Sequence, residues 1–349
     1  MDLEVLELNK TKMKNKFDFN DILIQPAKVS FINSRQDINP FHYGFLPLIT
    51  APMDTVINSA TTQLYSNLKI TPCLPRGEEW VNGNKFSSYS LIEIENMCKT
   101  PGRVEYTKKS GYFLIDIANG HMEKMVTTIK KFKKLFPKSK LMVGNVANPE
   151  TYVELSNAGA DYIRVGIGNG GGCSTTVHTG VGYPMGSLIS ECYAISCTLD
   201  NPAKIVADGG MQNYSDIIKA LALGADYVMV GSLFNKAIDS CGDNYLWKHI
   251  KVSQSIAEWA YKHKIPVYKK FRGMSTKEVQ KKWGKTQLTT SEGVIRYRKV
   301  EYSLEQWVIN FEDYLRSAMS YSNAKTLKEF IGCADIIEIT NNAYNRFNK

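Results

Sequence analysis

The chain has 349 residues, 43% of them hydrophobic and 22% charged, which is the balance of a soluble globular enzyme. No stretch approaches the roughly 18 consecutive apolar residues of a membrane span, and the N-terminus has early acids and no long apolar run, so neither a membrane segment nor a secretory signal is expected. The net charge of +9 is spread over lysine-rich segments without a compact basic-aromatic motif, so nucleic acid is not an expected partner.

The seven cysteines are sparse and contain no Cys-x-x-Cys pair, which argues against a disulfide scaffold. We therefore expect a cytoplasmic protein, in which a cysteine such as Cys173 remains a thiol. No group of His, Cys and Asp residues has metal-ligand spacing, so a zinc site is not expected.

Short apolar runs alternate with segments of helical spacing along most of the chain. Residues 17–26 alternate apolar and polar side chains up to a proline, which predicts a short strand or an extended cover. The runs that predict buried parallel strands are residues 46–53, 70–74, 112–117, 140–146, 162–165, 204–207 and 227–230. Helical periodicity predicts helices over residues 123–136, 149–157, 187–197, 215–223, 304–320 and 325–330.

Repeated units of strand, loop and helix predict an α/β fold with a parallel sheet. Polar residues recur directly after successive strands, at the end where a (β/α)₈ TIM barrel builds its active site. A doubly wound sheet also places ligands at strand ends, but the chain has no single dinucleotide fingerprint, which favours the barrel. We expect one barrel domain over residues 1–349, with a polar and mobile flap at about residues 269–300 that covers the site.

The stretch from residue 165 to 184, VGIGNGGGCSTTVHTGVGYP, contains five glycines before Cys173 and three hydroxyl side chains directly after it. Glycine is needed where φ is positive or where the backbone must come close to a ligand. A cysteine beside hydroxyl groups in such a loop is placed to act as a nucleophile. The alternative is an ordinary flexible loop that happens to contain a cysteine.

Two glycine turns follow late strands, Asp208-Gly209-Gly210 and Gly231-Ser232. Backbone N–H groups in such turns attract anions, and in barrels the loops after the last two strands often bind phosphate. The carboxylate of Asp208 suits a ribose diol, because it can accept hydrogen bonds from two hydroxyl groups. Each turn alone could be an ordinary connection, but together they predict a nucleotide monophosphate site.

The chain resembles the IMP dehydrogenase/GMP reductase family of (β/α)₈ barrels. The resemblance covers almost the whole chain and rests on the segments FDFNDILIQP, MDT, IDIANGH, GNV, the glycine-cysteine loop, VGYP, VADGG, VMVGSLF and FRGMS. It implies an oxidoreductase that acts on a purine nucleotide through a covalent adduct, with a nicotinamide cofactor. It also implies a homotetramer.

The resemblance assigns roles to residues by position. Cys173 would attack C2 of the purine, Thr175 would assist at C2, and Glu292 would handle the amine as an acid or base. The substrate would contact Asp208 at the ribose, Gly210, Gly231 and Ser232 at the phosphate, Met274 and Ser275 at the base, and Gly293. The cofactor would contact Asp116, Asn119 and Gly120. A monovalent cation such as K⁺ would bind the carbonyls of Gly168, Gly170 and Cys173.

The reductase branch of the family is favoured by the DIANGH segment, by Tyr183 and by the short interval from Met274 to Glu292. No regulatory (CBS) domain pair is inserted between residues 70 and 108, as is usual in the dehydrogenase branch. The resemblance therefore implies a GMP reductase-like enzyme, which converts GMP to IMP and ammonia with NADPH.

Several residues depart from the family pattern. Pro52 is more typical of the dehydrogenases, Asn169 and Gly171 stand where a proline and a serine are usual, and Thr176 stands where a basic residue is common. Residues 74–76, LPR, replace a segment rich in His and Lys. These changes keep three alternatives open: an IMP dehydrogenase without regulatory domains that converts IMP to XMP with NAD, an enzyme for a related purine (deoxy)nucleotide, and a non-catalytic nucleotide-binding protein.

Three side chains have plain structural interpretations beside their functional ones. His121 and His178 are expected to be surface or structural histidines rather than ligand contacts. Glu292 could be a solvated loop carboxylate instead of the acid or base.

Overall fold

The computed structural model describes residues 15–78, 85–103, 111–284, 286–287, 290 and 292–347. Residues 1–14, on which the expectation about a secretory signal rests, lie outside this part, as do residues 285, 288, 289 and 291 of the expected flap. The strands are β1 (Ile22–Ile24), β2 (Leu48–Thr50), β3 (Cys73–Leu74), β4 (Phe86–Tyr89), β5 (Tyr112–Asp116), β6 (Lys140–Val146), β7 (Tyr162–Val165), β8 (Lys204–Asp208), β9 (Tyr227–Val230), β10 (Asn244–Leu246), β11 (Ile250–Val252), β12 (Val267–Arg272), β13 (Ile295–Lys299) and β14 (Ile336–Glu338).

The helices of the described residues are α1 (Thr62–Asn67), α2 (Leu91–Lys99), α3 (Glu123–Leu135), α4 (Pro149–Asn157), α5 (Thr175–Thr179), α6 (Met185–Ser196), α7 (Tyr214–Ala222), α8 (Ser232–Asn235), α9 (Gln254–Lys262), α10 (Lys277–Lys282), α11 (Leu304–Tyr321), α12 (Leu327–Phe330) and α13 (Asn341–Phe347). None of them combines the length and the apolar character needed to cross a bilayer.

Strands β2 to β9 form one parallel eight-stranded sheet that closes into a barrel. From β3 to β9 each strand pairs with the next along the chain, and β9 pairs with β2. Between β2 and β3 the ring is completed by hydrogen bonds from Thr50 N to Thr71 O (3.1 Å) and from Thr71 N to Leu48 O (3.0 Å). The prediction of a (β/α)₈ barrel is confirmed.

Side chains of the barrel strands alternate between the interior and the layer under the helices, because successive residues of a strand point to opposite faces. In β6, Met142 packs in the interior cluster with Leu114 and Met229, whereas Leu141 and Val143 belong to the outer cluster. Both faces are buried, so such a strand is a continuous apolar run, which is why most of these strands could be predicted.

One barrel strand, β4, and the helix α2 after it were missed in the sequence analysis. Two of the four residues of β4 are Ser87 and Ser88, which are buried although they are polar. Ser88 Oγ donates a hydrogen bond to Leu74 O at 2.6 Å, which satisfies the hydroxyl inside the barrel. A strand of this composition has no apolar run to detect.

The C-terminal third contains a second sheet that was not predicted, antiparallel and in the order β11, β10, β12, β13. The expected flap at about residues 269–300 begins in β12 and ends in β13, which pair from Tyr268 opposite Lys299 to Arg272 opposite Ile295. The buried positions of β12 include Lys269, which is 0% exposed and obscures the alternating pattern. The ends of the segment are therefore ordered strands, and the mobility of the part between them stays a prediction.

The opening segment, residues 17–26, supplies a 3₁₀ turn (Phe19–Asp21) and then β1. Asp18 caps the turn, and β1 pairs antiparallel with β14, outside the barrel sheet. The expected short strand is present, and it joins the two ends of the described chain.

Candidate active site

A cavity of about 740 Å³ opens at the carboxyl ends of the barrel strands. This volume lies within the range of roughly 300–1,000 Å³ that is typical of small-molecule sites. Its wall contains residues that end or follow the barrel strands, among them Ala51 after β2, Arg76 after β3, Asp116 at the end of β5, Asp208 at the end of β8 and Gly231 after β9. Residues distant in sequence meet here because the carboxyl ends of parallel strands share one rim.

Most of the predicted site residues line this cavity: Asp116, Gly170, Cys173, Asp208, Gly210, Gly231, Ser232, Met274, Ser275 and Glu292. Thr175 contacts the side chain of Cys173. The wall formed by the described residues does not include Asn119, Gly120, Gly168 or Gly293.

Cys173 reaches the cavity on the glycine loop that follows β7. Its N–H donates to Gly170 O at 2.9 Å, which closes a tight turn before the cysteine. The segment that leads into β13 holds this loop, since Val294 N donates to Gly172 O at 3.1 Å and Cys173 forms a backbone bridge with Gly293. The thiol is half-buried at the cavity wall.

A hydroxyl group joins the thiol to a carboxylate. Cys173 Sγ lies 3.1 Å from Thr175 Oγ1, and Thr175 Oγ1 donates a short hydrogen bond to Glu292 Oε2, 117 residues further along the chain. The backbone of Glu292 is fixed, because its carbonyl accepts hydrogen bonds from the N–H and the Oγ of Ser174, each at 2.7 Å. This arrangement can move a proton between a reacting group at the sulfur and the carboxylate. It favours the acid or base interpretation of Glu292 over that of a solvated carboxylate.

Asp208 belongs to a half-buried network of polar side chains around the buried Arg164 at the cavity wall. Asn145 Nδ2 donates to Asp208 Oδ2 at 2.8 Å, and Arg164 Nη1 lies 3.6 Å from the same oxygen. Arg164 also forms an ion pair with Asp116 at 2.6 Å. Burial raises the pKa of Asp208, against the opposing effect of the Arg164 charge. No role was predicted for Arg164, although a charged residue inside the apolar strand YIRV is a signal of a functional position.

The predicted cofactor residues lie in different places. Asp116 lines the cavity, where Arg76 Nε is 3.6 Å from its carboxylate, and the Arg76 guanidinium lies 4.9 Å from the ring centre of Trp283 in the flap segment. Asn119 is exposed. Gly120 is buried, and a Cβ at this position would lie 2.7 Å from a backbone oxygen of β6. Glycine therefore allows the two backbones to pack closely here.

The two histidines of the sequence analysis differ in their surroundings. His121 Nδ1 lies 3.0 Å from Thr151 Oγ1, and its Nε2 accepts a hydrogen bond from Ala147 N at 3.0 Å. Burial lowers the pKa of His121, which favours the neutral ring that these contacts need. His178 is exposed on α5 and does not line the cavity. These placements favour the structural interpretation of His121 and the surface interpretation of His178.

The flap segment is tied to the barrel by ion pairs at Asp54, which follows β2. Its carboxylate lies 2.6 Å from Arg272 Nη2 and 3.0 Å from Lys282 Nζ. Burial alone would raise the pKa of Asp54, but hydrogen bonds from these two cations hold it below its usual range. The start of the flap and its helix α10 are therefore anchored on one barrel carboxylate.

The chain is a (β/α)₈ TIM barrel with a cysteine at a cavity by the carboxyl ends of its strands. Its similarity to known proteins identifies the family. Residues 102–347 match the family model described as the IMP dehydrogenase / GMP reductase domain. The chain is 30% identical to a GMP reductase of Caenorhabditis elegans, covering 93% of this chain and 92% of the relative. It is 29% identical to GMP reductase 2 of Homo sapiens, covering 93% and 94%. The chain belongs to the IMP dehydrogenase/GMP reductase family, and the predicted similarity to GMP reductases is confirmed.

Proposed function

We propose that this chain is a GMP reductase-like enzyme, which converts GMP to IMP and ammonia with NADPH through a covalent adduct on Cys173. The observation that supports this most is the connected set of Cys173, Thr175 and Glu292 beside a cavity of nucleotide size. The relatives named above carry the name GMP reductase, which agrees with the proposed direction of the reaction.

The reaction would run in two steps at C2 of the guanine. In the first step the Cys173 thiolate would add to C2 and the bond from C2 to the amino nitrogen would break, so that ammonia leaves and C2 is bonded to sulfur. In the second step a hydride would add to C2 as the carbon–sulfur bond breaks, which releases IMP and restores the thiolate. Glu292, acting through Thr175, would deliver the proton that the leaving amine needs.

The remaining wall of the cavity would hold the nucleotide in place for attack. Asp208 would accept hydrogen bonds from the ribose hydroxyls, since its carboxylate faces the cavity while Asn145 fixes one of its oxygens. Gly210, Gly231 and Ser232 would surround the phosphate at the ends of β8 and β9. Met274 and Ser275, at the start of the flap segment, would contact the base.

A bound nicotinamide cofactor supplies the hydride. The cavity has room for a second flat ring, because it extends from Cys173 to Arg76 and Trp283, where the guanidinium lies 4.9 Å from the indole ring centre. NADPH, rather than NADH, follows from the reductase assignment. K⁺ is a further proposal: neutral backbone carbonyls such as those of Gly168 and Gly170 suit a monovalent cation, although Gly170 O also accepts the Cys173 N–H. Replacing K⁺ by Li⁺ in the assay tests it.

The test of the proposed function is a nucleotide panel assayed with both cofactors. GMP should cause loss of the NADPH absorbance with formation of IMP, and mass spectrometry of the quenched enzyme should detect a purine adduct on Cys173. Cys173→Ala should abolish turnover and retain GMP binding. Cys197→Ala, at an exposed position away from the cavity wall, is the matched control and should keep the parental rate.

Other results of the same panel would support one of the alternative functions. Formation of NADH from NAD with IMP would favour the dehydrogenase, which Pro52 in the cavity wall supports. A higher rate with dGMP than with GMP would favour a deoxynucleotide enzyme. Nucleotide binding without adduct or turnover would favour a non-catalytic protein. The proposed homotetramer is tested separately by light scattering of the purified protein.

A further inference from the structure

Gly171, two residues before the cysteine, lies where three segments meet. A Cβ at this position would lie 2.7 Å from Arg298 Nη2 and 3.6 Å from the Cβ of Ser232. Arg298 comes from β13, and Ser232 follows β9. The Arg298 guanidinium therefore fills the space that a side chain at position 171 would need, next to the proposed phosphate-binding residues.

Among the described residues, no carboxylate lies within salt-bridge distance of Arg298. The described part of the chain forms no ion pair with it, and its buried Nε has no hydrogen-bond partner there. The guanidinium lies 4.8 Å from the ring centre of Phe271, and Arg298 lines the cavity. Burial and the neighbouring charge of Arg296 lower the pKa of Arg298, against the opposing effects of Tyr302 and Glu301.

Two other arginines, one buried and one half-buried, are paired with carboxylates. Arg164 lies 2.6 Å from Asp116, and Arg272 lies 2.6 Å from Asp54. A half-buried cation that lacks such a partner is costly, and an anionic ligand at the cavity would remove that cost. Phosphate is the anion for which a guanidinium has the best geometry, because two parallel N–H groups can bind two of its oxygens.

We propose that Arg298 binds the phosphate of the nucleotide, and that glycine at position 171 makes room for this arginine. The inference rests on the proposed function, in which the ligand is a purine nucleotide monophosphate. Arg298 is then a specificity-determining residue: it favours a dianionic nucleotide over a neutral nucleoside. It contacts the phosphate and not the reacting C2 atom, so its loss raises KM and leaves kcat nearly unchanged.

The experiment compares GMP and guanosine, which differ only in the phosphate, by calorimetry on the purified protein. Arg298→Met should weaken GMP binding by about 10- to 100-fold, the range for a lost hydrogen bond between charged groups, and leave guanosine binding unchanged. Lys299→Met removes the same charge from the adjacent, exposed position of β13 and should leave GMP binding at the parental level. The melting temperature of ligand-free Arg298→Met should not fall, because the lost cation had no carboxylate partner among the described residues.

A second pair of variants tests the role of the glycine. Gly171→Ser should weaken GMP binding, because its Cβ would collide with Arg298. In the Arg298→Ala background the same serine should strengthen GMP binding, since the space is then free and its hydroxyl can donate to the phosphate. Equal effects of Gly171→Ser in the two backgrounds would overturn the coupling.

The outcomes separate this inference from the proposed function. If the parent binds GMP in an Arg298-dependent way but does not consume NADPH, the proposed function is wrong and the inference stands. If the parent reduces GMP and Arg298→Met has the parental KM, the inference is wrong and the function stands. Equal losses of GMP and guanosine binding, or a parent that binds neither GMP nor IMP, would also overturn the inference.

Discussion

Gly273→Ala is expected to separate the cysteine loop from the flap. A Cβ at Gly273 would lie 2.3 Å from Gly172 O, which a real Cβ does not tolerate, and 3.0 Å from the Cα of Gly293, which is a tight contact. The φ angle of Gly273 is outside the positive region, so alanine is compatible with the backbone itself. The effect of the substitution therefore comes from the contact alone.

The magnitude follows from the hydrogen bonds at this point. Gly273 N donates to Val294 O and Val294 N donates to Gly172 O, both at 3.1 Å. Their loss costs about 2 kcal/mol, at about 1 kcal/mol for each bond. Glu292 lies two residues before Val294, so the same displacement moves its carboxylate away from Thr175. If the activation barrier rises by the whole of this energy, kcat falls roughly 30-fold.

The assay is steady-state turnover of GMP and NADPH, combined with thermal unfolding. Gly273→Ala should lower kcat and reduce the melting temperature by a few degrees, since about 2 kcal/mol is a modest part of the stability of a domain this large. Gly102→Ala is the control, because a Cβ there meets nothing within 4 Å. A Gly273→Ala variant with the parental kcat and melting temperature would refute the reasoning.

Three further changes test other parts of the structure. Thr175→Val should lower kcat about 100-fold with GMP affinity unchanged, because it removes only the hydroxyl between thiol and carboxylate; parental turnover would exclude the proton path. Burial lowers the pKa of Lys269 from 10.5 to about 8. Between pH 8 and 10.5 the lysine is therefore protonated in the unfolded chain and neutral in the folded chain. In urea titrations the free energy of unfolding of the parent, relative to that of Lys269→Met, should therefore rise by about 3 kcal/mol between about pH 8 and 10.5. A difference between the two proteins that does not change with pH would contradict the burial of Lys269. Asp54→Asn should destabilise the fold by roughly 2 kcal/mol in the same titrations, since among the described residues Arg272 then keeps Glu278 alone as a carboxylate partner. Parental stability would show that the flap is not anchored at Asp54.

Much of the barrel could be predicted from local pattern. Strands β6, β7 and β9 and helix α4 have the bounds that the apolar runs and Pro149 indicated. Each is either buried on both faces or ended by a clear signal, so its sequence carries its own boundary. Strand β4 and the second sheet escaped, because Ser88 and Lys269 are buried polar side chains whose partners come from other segments.

The sequence by itself determined the cysteine loop, the strand-end glycines and the family, because each depends on residues that are neighbours along the chain. Only the tertiary structure decided the contacts that complete the site. Thr175 meets Glu292 across 117 residues, and the Arg298 guanidinium occupies the space beside Gly171. Such contacts follow from barrel closure and from the pairing of β12 with β13, which bring distant backbones together independently of local periodicity.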